Sequence, residues 1–197
     1  MARRQVFWAQ RYHAFIPGAD LYLCHGEDRA YHGKPWRGIR APLIDWRAVK
    51  DAPQEPKFEG FSFGTIARHE KMEHAPFLEA VCEILKRCPG ASYEFCGKYL
   101  PDSVMEHFQK EGLWDRCHFH GWVEPIAFAG RLHCLLETFP LGGICSLTAA
   151  ARNVPVTAMT SNYNPLTHND YPVMPDVEAY IADAARLHGD EKWREQR

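Results

Sequence analysis

The chain of 197 residues has almost no net charge, no paired-cysteine motif and no long apolar run. Its 23 basic and 25 acidic side chains leave a formal charge of −2, which argues against a nucleic-acid surface driven by bulk positive charge. The seven cysteines are odd in number and none forms a C-x-x-C pair. Cys82, Cys88, Cys96, Cys117, Cys134 and Cys145 mostly sit in apolar runs, which reads as buried thiols in a reducing cytoplasm. No uncharged apolar stretch approaches the ~20 residues needed to cross a bilayer. Gln10 and Arg11 interrupt any signal-peptide core behind the basic N-terminus. There is no internal repeat and no low-complexity segment. The G-x-x-x-x-G-K-[ST] and G-x-G-x-x-G phosphate fingerprints are missing as well. His69-Glu-Lys-Met-Glu-His74 is one residue too long for H-E-x-x-H, and residues five apart do not share a helix face. His118-x-His120 would put two rings on one face of a strand, with no third ligand in view.

What is present is a core and a rhythm. Hydrophobic residues make up 46% of the chain, enough for a sizeable interior. Val49-Lys-Asp-Ala-Pro-Gln-Glu-Pro-Lys57, with two prolines and four charges, reads as a linker. Ahead of it, Ala19–His25 reads as a short strand and Ile39–Ile44 as an extended piece. Phe7, Trp8, Phe15 and Trp36 are expected to be exposed, which points to self-association or a partner. Behind the linker, strands and helices alternate. Phe58–Ile66, Tyr93–Cys96, Cys117–Phe119, Leu132–Phe139 and Val154–Met159 read as strands. Phe77, Leu78, Val81, Ile84, Leu85 and Cys88 recur at helical spacing after Pro76. Ser103 is expected to cap a further helix, Leu147–Arg152 to form a short one, and Asp176–Leu187 the last. The tail from Asp190 to Arg197 reads as a solvated helix end or frayed terminus. This alternation predicts an α/β fold, a Rossmann-like parallel sheet flanked by helices. Ligands of such sheets sit beyond the carboxyl ends of the strands, where Gly64, Gly97, Gly121 and Gly142-Gly143 all fall.

The run from Glu137 to Val156 carries the chemistry. Gly142 and Gly143 allow a tight turn and close approach of a ligand, and Ser146 follows at the start of a helix. Free N–H groups at a helix start bind anions, and the diphosphate of a nucleotide is the obvious one. Any strand–turn–helix unit can carry Gly-Gly and bind nothing, so the turn needs company. Arg68 and Lys71 supply it. They lie just past the strand that ends at Ile66 and would face the same crevice, although solvated loop charges are the default for such a pair. Cys145 at a helix start could have a lowered thiol pKa, but a nucleophile would need a paired histidine, with His118, His120 and His168 as weak candidates. Asn162 to Asp170 reads as a surface loop that could touch a sugar.

In this order the segments resemble the C-terminal, donor-binding domain of a GT-B glycosyltransferase, in particular the cytoplasmic N-glycosyltransferases and the O-GlcNAc transferases. The resemblance rests on Phe63-Gly-Thr-Ile-Ala-Arg-His-Glu-Lys71, the helix to Cys88 with Pro89-Gly90, Asp115-Arg-Cys-His-Phe-His-Gly-Trp-Val123, Leu135-Leu-Glu-Thr-Phe-Pro-Leu-Gly-Gly143, and Ser146 to Val156. It covers roughly residues 58 to 190. It implies a donor domain over residues 57–197, and in residues 1–56 the remnant of an acceptor domain with its linker. The implied ligand is a nucleoside diphosphate sugar, a UDP-hexose, bound as substrate with no cofactor and no metal. Arg68 and Lys71, with the N–H groups around Gly142, Gly143, Ile144, Cys145 and Ser146, would neutralise the leaving diphosphate. Trp122 and Val123 would hold the base. Thr148 stands where relatives carry an acidic ribose contact, and Asn153 replaces the usual glycine before Val154-Pro155. No catalytic base is assigned, and Glu137 reads as structural. The acceptor half would come from elsewhere. Two alternatives stay open, a non-catalytic nucleotide-sugar binding module and a sugar-nucleotide epimerase fragment.

Overall fold

A strand with apolar side chains on both faces belongs in a parallel sheet covered on both sides. Ser62–Ile66 is such a strand, fully buried up to its last residue. The computed structural model describes residues 4–9, 15–25, 28–39, 45–140, 142–159 and 172–197. The chain divides into two compact bodies, Met1–Leu43 and Ile44–Arg197. The division lies ahead of the Pro-rich stretch at 49–57 rather than within it.

The smaller body is a four-stranded sheet in the order β1-β2-β4-β3, formed by β1 (Val6–Ala9), β2 (Leu21–His25), β3 (Arg29–Tyr31) and β4 (Lys34–Ile39). β1, β2 and β4 run parallel, and β3 pairs antiparallel with β4. The two-residue turn joining β3 to β4, His32-Gly33, has φ of 49° and 66°, the twist that suits a tight hairpin. Phe7, Tyr22 and Trp36 share one row of the register. Trp36 is only 1% exposed and its indole N–H donates to Tyr31 O at 3.1 Å. Phe7 and Phe15 pack against this centre. Of the four aromatic residues expected to be exposed, Trp36 is therefore core, Phe7 and Phe15 are part-buried, and Trp8 is 50% exposed. Most of Ile39–Ile44 lies outside the described residues.

The larger body carries α1 (Trp46–Asp51), β5 (Ser62–Ile66), α2 (His69–Met72), α3 (Ala75–Arg87), β6 (Ser92–Cys96), α4 (Asp102–Lys110), β7 (Cys117–Phe119), α5 (Pro125–Arg131), β8 (Cys134–Leu136), α6 (Ile144–Ala151), β9 (Val156–Met159), β10 (Val173–Met174), α7 (Val177–Gly189) and α8 (Glu191–Glu195). Its six strands follow the order β10-β9-β8-β5-β6-β7 and all pair parallel. Helices cover both faces, as the alternation predicts. On one face α3, α4 and α7 bury Phe77, Ile84, Phe108 and Tyr180 against Phe63, Phe95 and Leu136. On the other, α5 and α6 bury Phe128, Leu132 and Ala149 against Leu135 and Val156. Gly64 is required by this second layer. A Cβ there would lie 2.3 Å from the Leu132 side chain and 2.8 Å from Glu94 O.

Several local expectations are corrected. Ser103 does not cap α4, because Pro101 precedes its first residue and the Ser103 hydroxyl donates to Glu73 at 2.9 Å. α6 begins at Ile144, three residues ahead of the expected start, with extended Gly143 as its N-cap. α5 and β10 carry no sequence expectation at all. Of the two readings of the tail, the solvated helix end holds, as α8, and the frayed terminus does not. Arg197 forms a 2.5 Å ion pair with Asp183, both side chains 6% exposed, and donates to Val156 O at 3.1 Å. The Thr157 hydroxyl completes the cluster by donating to Asp183 at 2.9 Å.

Candidate functional site

The strand order is that of a doubly wound sheet, and the winding reverses between β5 and β8. Connections leave on opposite sides there, which opens a crevice beyond the carboxyl ends of the two strands. A cleft of about 220 Å³ lies at that point. Thr65 and Ile66 line it from β5, Leu135 and Leu136 from β8, and Glu137 and Thr138 from the strand extension. Lys71 enters from α2, and Gly143, Cys145 and Ser146 from the start of α6.

The polar groups of the cleft are tied to one another. The Lys71 ammonium donates to Gly142 O, which holds it over the turn. A Cβ on Gly143 would lie 3.1 Å from Lys71 Nζ, so the glycine makes room for the cation. Glu137 is 4% exposed. Its Oε1 accepts from the Gly143 N–H at 3.2 Å and from Ser146 Oγ at 2.7 Å, which caps α6 with a carboxylate. The strand end beneath is fixed on both sides. Thr65 Oγ1 donates to Leu136 O at 3.0 Å, and the Tyr180 hydroxyl donates to Glu137 O at 3.1 Å.

Of the expected site residues, the structure brings Lys71, Gly143, Cys145 and Ser146 into one cleft, with Gly142 at its rim through the Lys71 bond. Ile144 is 45% exposed. Arg68 is exposed at the N-cap of α2 and does not line the cleft. Thr148 is buried and its hydroxyl donates back to Ile144 O at 3.3 Å, away from the cleft. Trp122 is 83% exposed, whereas Val123 packs against the α5–α6 layer. The Cys145 thiol is pushed up, not down. Burial outweighs the nearby Lys71, so the helix start does not activate it.

The histidine motifs are separated or absorbed. His69 opens α2 while His74 caps α3, so the two do not share a helix. His120 bonds buried Glu94 at 2.7 Å, and His118 lies 4.0 Å from the same carboxylate. Among the described residues no three His, Cys, Asp or Glu side chains converge as a metal site. Among them, too, no helix is long and apolar enough to cross a membrane. His168 and the loop from Asn162 to Asp170 lie outside the described residues. The sequence reading missed Thr65, Thr138 and the role of Glu137. Their signal was position, since each is a polar residue placed at the end of a buried strand at the point where the winding reverses.

No protein-family model matches the sequence, and no curated protein matches it. Solved structures do. A mutant of the Thermobaculum terrenum O-GlcNAc transferase superposes with a TM-score of 0.69 at 17% identity, over 89% of this chain and 39% of that one. Staphylococcus aureus TarM, as a mutant in complex with fondaparinux, α-GlcNAc-glycerol and UDP, gives 0.65 at 12% identity, over 84% and 35%. The pneumococcal O-GlcNAc transferase GtfA, in complex with UDP and GlcNAc, gives 0.60 at 18% identity, over 84% and 37%. At such identities the likeness is one of fold. The larger body has the Rossmann-like fold of GT-B glycosyltransferases, as the resemblance in sequence implied. The chain spans between a third and two fifths of the length of these proteins.

Proposed function

We propose that the larger body is the donor side of a GT-B-type glycosyltransferase, binding a nucleoside diphosphate sugar for transfer to an acceptor held elsewhere. The observation that carries this reading is Lys71 fixed over the N-terminus of α6, in a cleft at the reversal point of the sheet. Departure of a nucleoside diphosphate is aided by neutralising its charge. Lys71 and the N–H groups of Gly143, Ile144 and Cys145 do this without a metal, and Arg68 adds long-range attraction from the rim. Trp122 and the backbone of Val123 receive the base. Thr148 reaches a ribose only by giving up its bond to Ile144 O. UDP-hexose is the favoured donor, since two of the neighbours named above, TarM and GtfA, were solved in complex with UDP. The compartment is cytoplasmic, and the smaller body belongs to the acceptor side and meets a partner chain or a second copy.

Calorimetric titration of the chain with UDP and GDP, repeated on Lys71→Ala, tests the reading. Micromolar binding of one nucleotide, weakened at least tenfold in the variant, is the expected result. No binding of either at millimolar concentration overturns it. If UDP binds but UDP-sugar is neither hydrolysed, isomerised nor transferred with any acceptor half supplied, the chain is a non-catalytic binding module.

A further inference from the structure

Glu137 is the acidic residue among the described side chains that line the cleft. It is 4% exposed, yet it is no bystander beneath the site. Its carboxylate already accepts from Gly143 N–H at 3.2 Å and Ser146 Oγ at 2.7 Å. Those are two of the donors a phosphate at the start of α6 would use. A carboxylate in that place gains from the helix dipole as a phosphate would. Among the described residues, charged and titratable groups face it from three helices. Lys71 comes from α2 and Cys145 from α6, while Tyr180 of α7 holds its main-chain oxygen. Asp183 of α7 is paired with Arg197.

We infer that Glu137 is a built-in counter-anion, which completes the α6 cradle in the absence of ligand and competes with an incoming diphosphate for Gly143 N–H and Ser146 Oγ. The inference rests on the donor-site reading above. Two anions cannot share one pair of donors, so the carboxylate yields its bonds when a diphosphate arrives. Its charge then sets how tightly the diphosphate is held. Removing that charge strengthens diphosphate binding, whereas removing an ordinary ligand contact weakens it.

The test uses the full chain and two probes, inorganic pyrophosphate and UDP, followed by calorimetry and thermal shift. Glu137→Gln keeps the side-chain shape and an oxygen toward Ser146 while deleting the charge. At low salt it is expected to bind pyrophosphate about tenfold more tightly than the parent, with the gap closing as salt rises. Equal or weaker pyrophosphate binding by Glu137→Gln overturns the inference, as does failure of both chains to bind it at millimolar concentration. Tighter pyrophosphate binding with no UDP binding by either chain upholds the counter-anion and overturns the nucleotide reading. UDP binding by the parent that Glu137→Gln does not improve does the reverse. If Glu137→Gln does not fold, Glu137→Asp withdraws the carboxylate by one methylene. It must shift pyrophosphate binding in the same direction or the inference fails.

Discussion

Strands β5 and β8 carry polar clusters at both ends, and only one end is built around a cleft. At their amino ends, Ser62 N–H donates to His133 Nδ1 at 3.2 Å, and the Lys57 ammonium donates to Leu132 O. The His133 ring stacks on Phe61 with centroids 5.1 Å apart. Every group there is spent on joining the strands. At the carboxyl ends, Thr65 and Tyr180 do the joining, while Lys71, Glu137 and Ser146 surround the cleft. Polarity and burial are common to both ends. What separates a candidate site from a structural knot is unfilled volume beside groups whose partners a ligand can replace.

The sharpest way to break this contrast lies between the two ends. Gly64→Ala forces a methyl into Leu132 and Glu94 O, and overpacking with backbone in the way is expected to cost about 3 kcal/mol. Chemical denaturation should show that loss. A stable variant would mean that the α5 layer is looser than its contacts suggest. Lys71→Ala is the next largest change and acts chiefly on function. UDP affinity should fall tenfold or more, a far larger effect than any shift in melting temperature, as titration and melting curves on the same variant would show.

His133→Ala gives the mirror result at the other end. It strands the Ser62 N–H, which is expected to cost about 1–3 kcal/mol with UDP affinity unchanged. The same ring makes stability depend on pH. Burial, with Lys57 and Arg194 nearby, holds its pKa down from 6.5 to about 4. The unfolded chain takes up this proton first, so acid favours unfolding. The contribution is whole above pH 6.5 and is lost as pH falls towards 4. Melting curves across that range should show a slope that His133→Ala flattens. Trp122→Ala is the smallest effect. A side chain 83% exposed contributes little to stability, and loss of the ring from the base should weaken nucleotide affinity by about threefold, the contact with the Val123 backbone remaining.

These outcomes also show what could be read from the chain. β7 was legible as Cys117–Phe119 because Cys117 and Phe119 alternate with His118 and His120 between Arg116 and Gly121. α3 was legible from its apolar face and Pro76. α5 was not. Pro-Ile-Ala-Phe-Ala-Gly-Arg has no polar face to set a period, although Glu124 caps it by accepting from Ala127 N–H at 2.7 Å. The α6 start was read late because its cap comes from Glu137, a residue far back in sequence that no local rule inspects. Lys71 and Ser146 were legible as neighbours in one cleft because their elements follow strand ends. Thr148 marks the limit. Spacing placed it on the helix, but only the folded backbone shows its hydroxyl turned to Ile144 O.

The two ends of α6 have a joint consequence. Its first turn is held by Glu137, and Arg152 at its C-cap donates to Val49 O at 3.1 Å, Ala52 O at 3.4 Å and Pro53 O at 3.1 Å. A helix of eight residues, roughly 12 Å long, is stiff over that distance. It is pinned at both ends, so the Gly143 turn and the 49–53 strap are held apart by the length of one short helix.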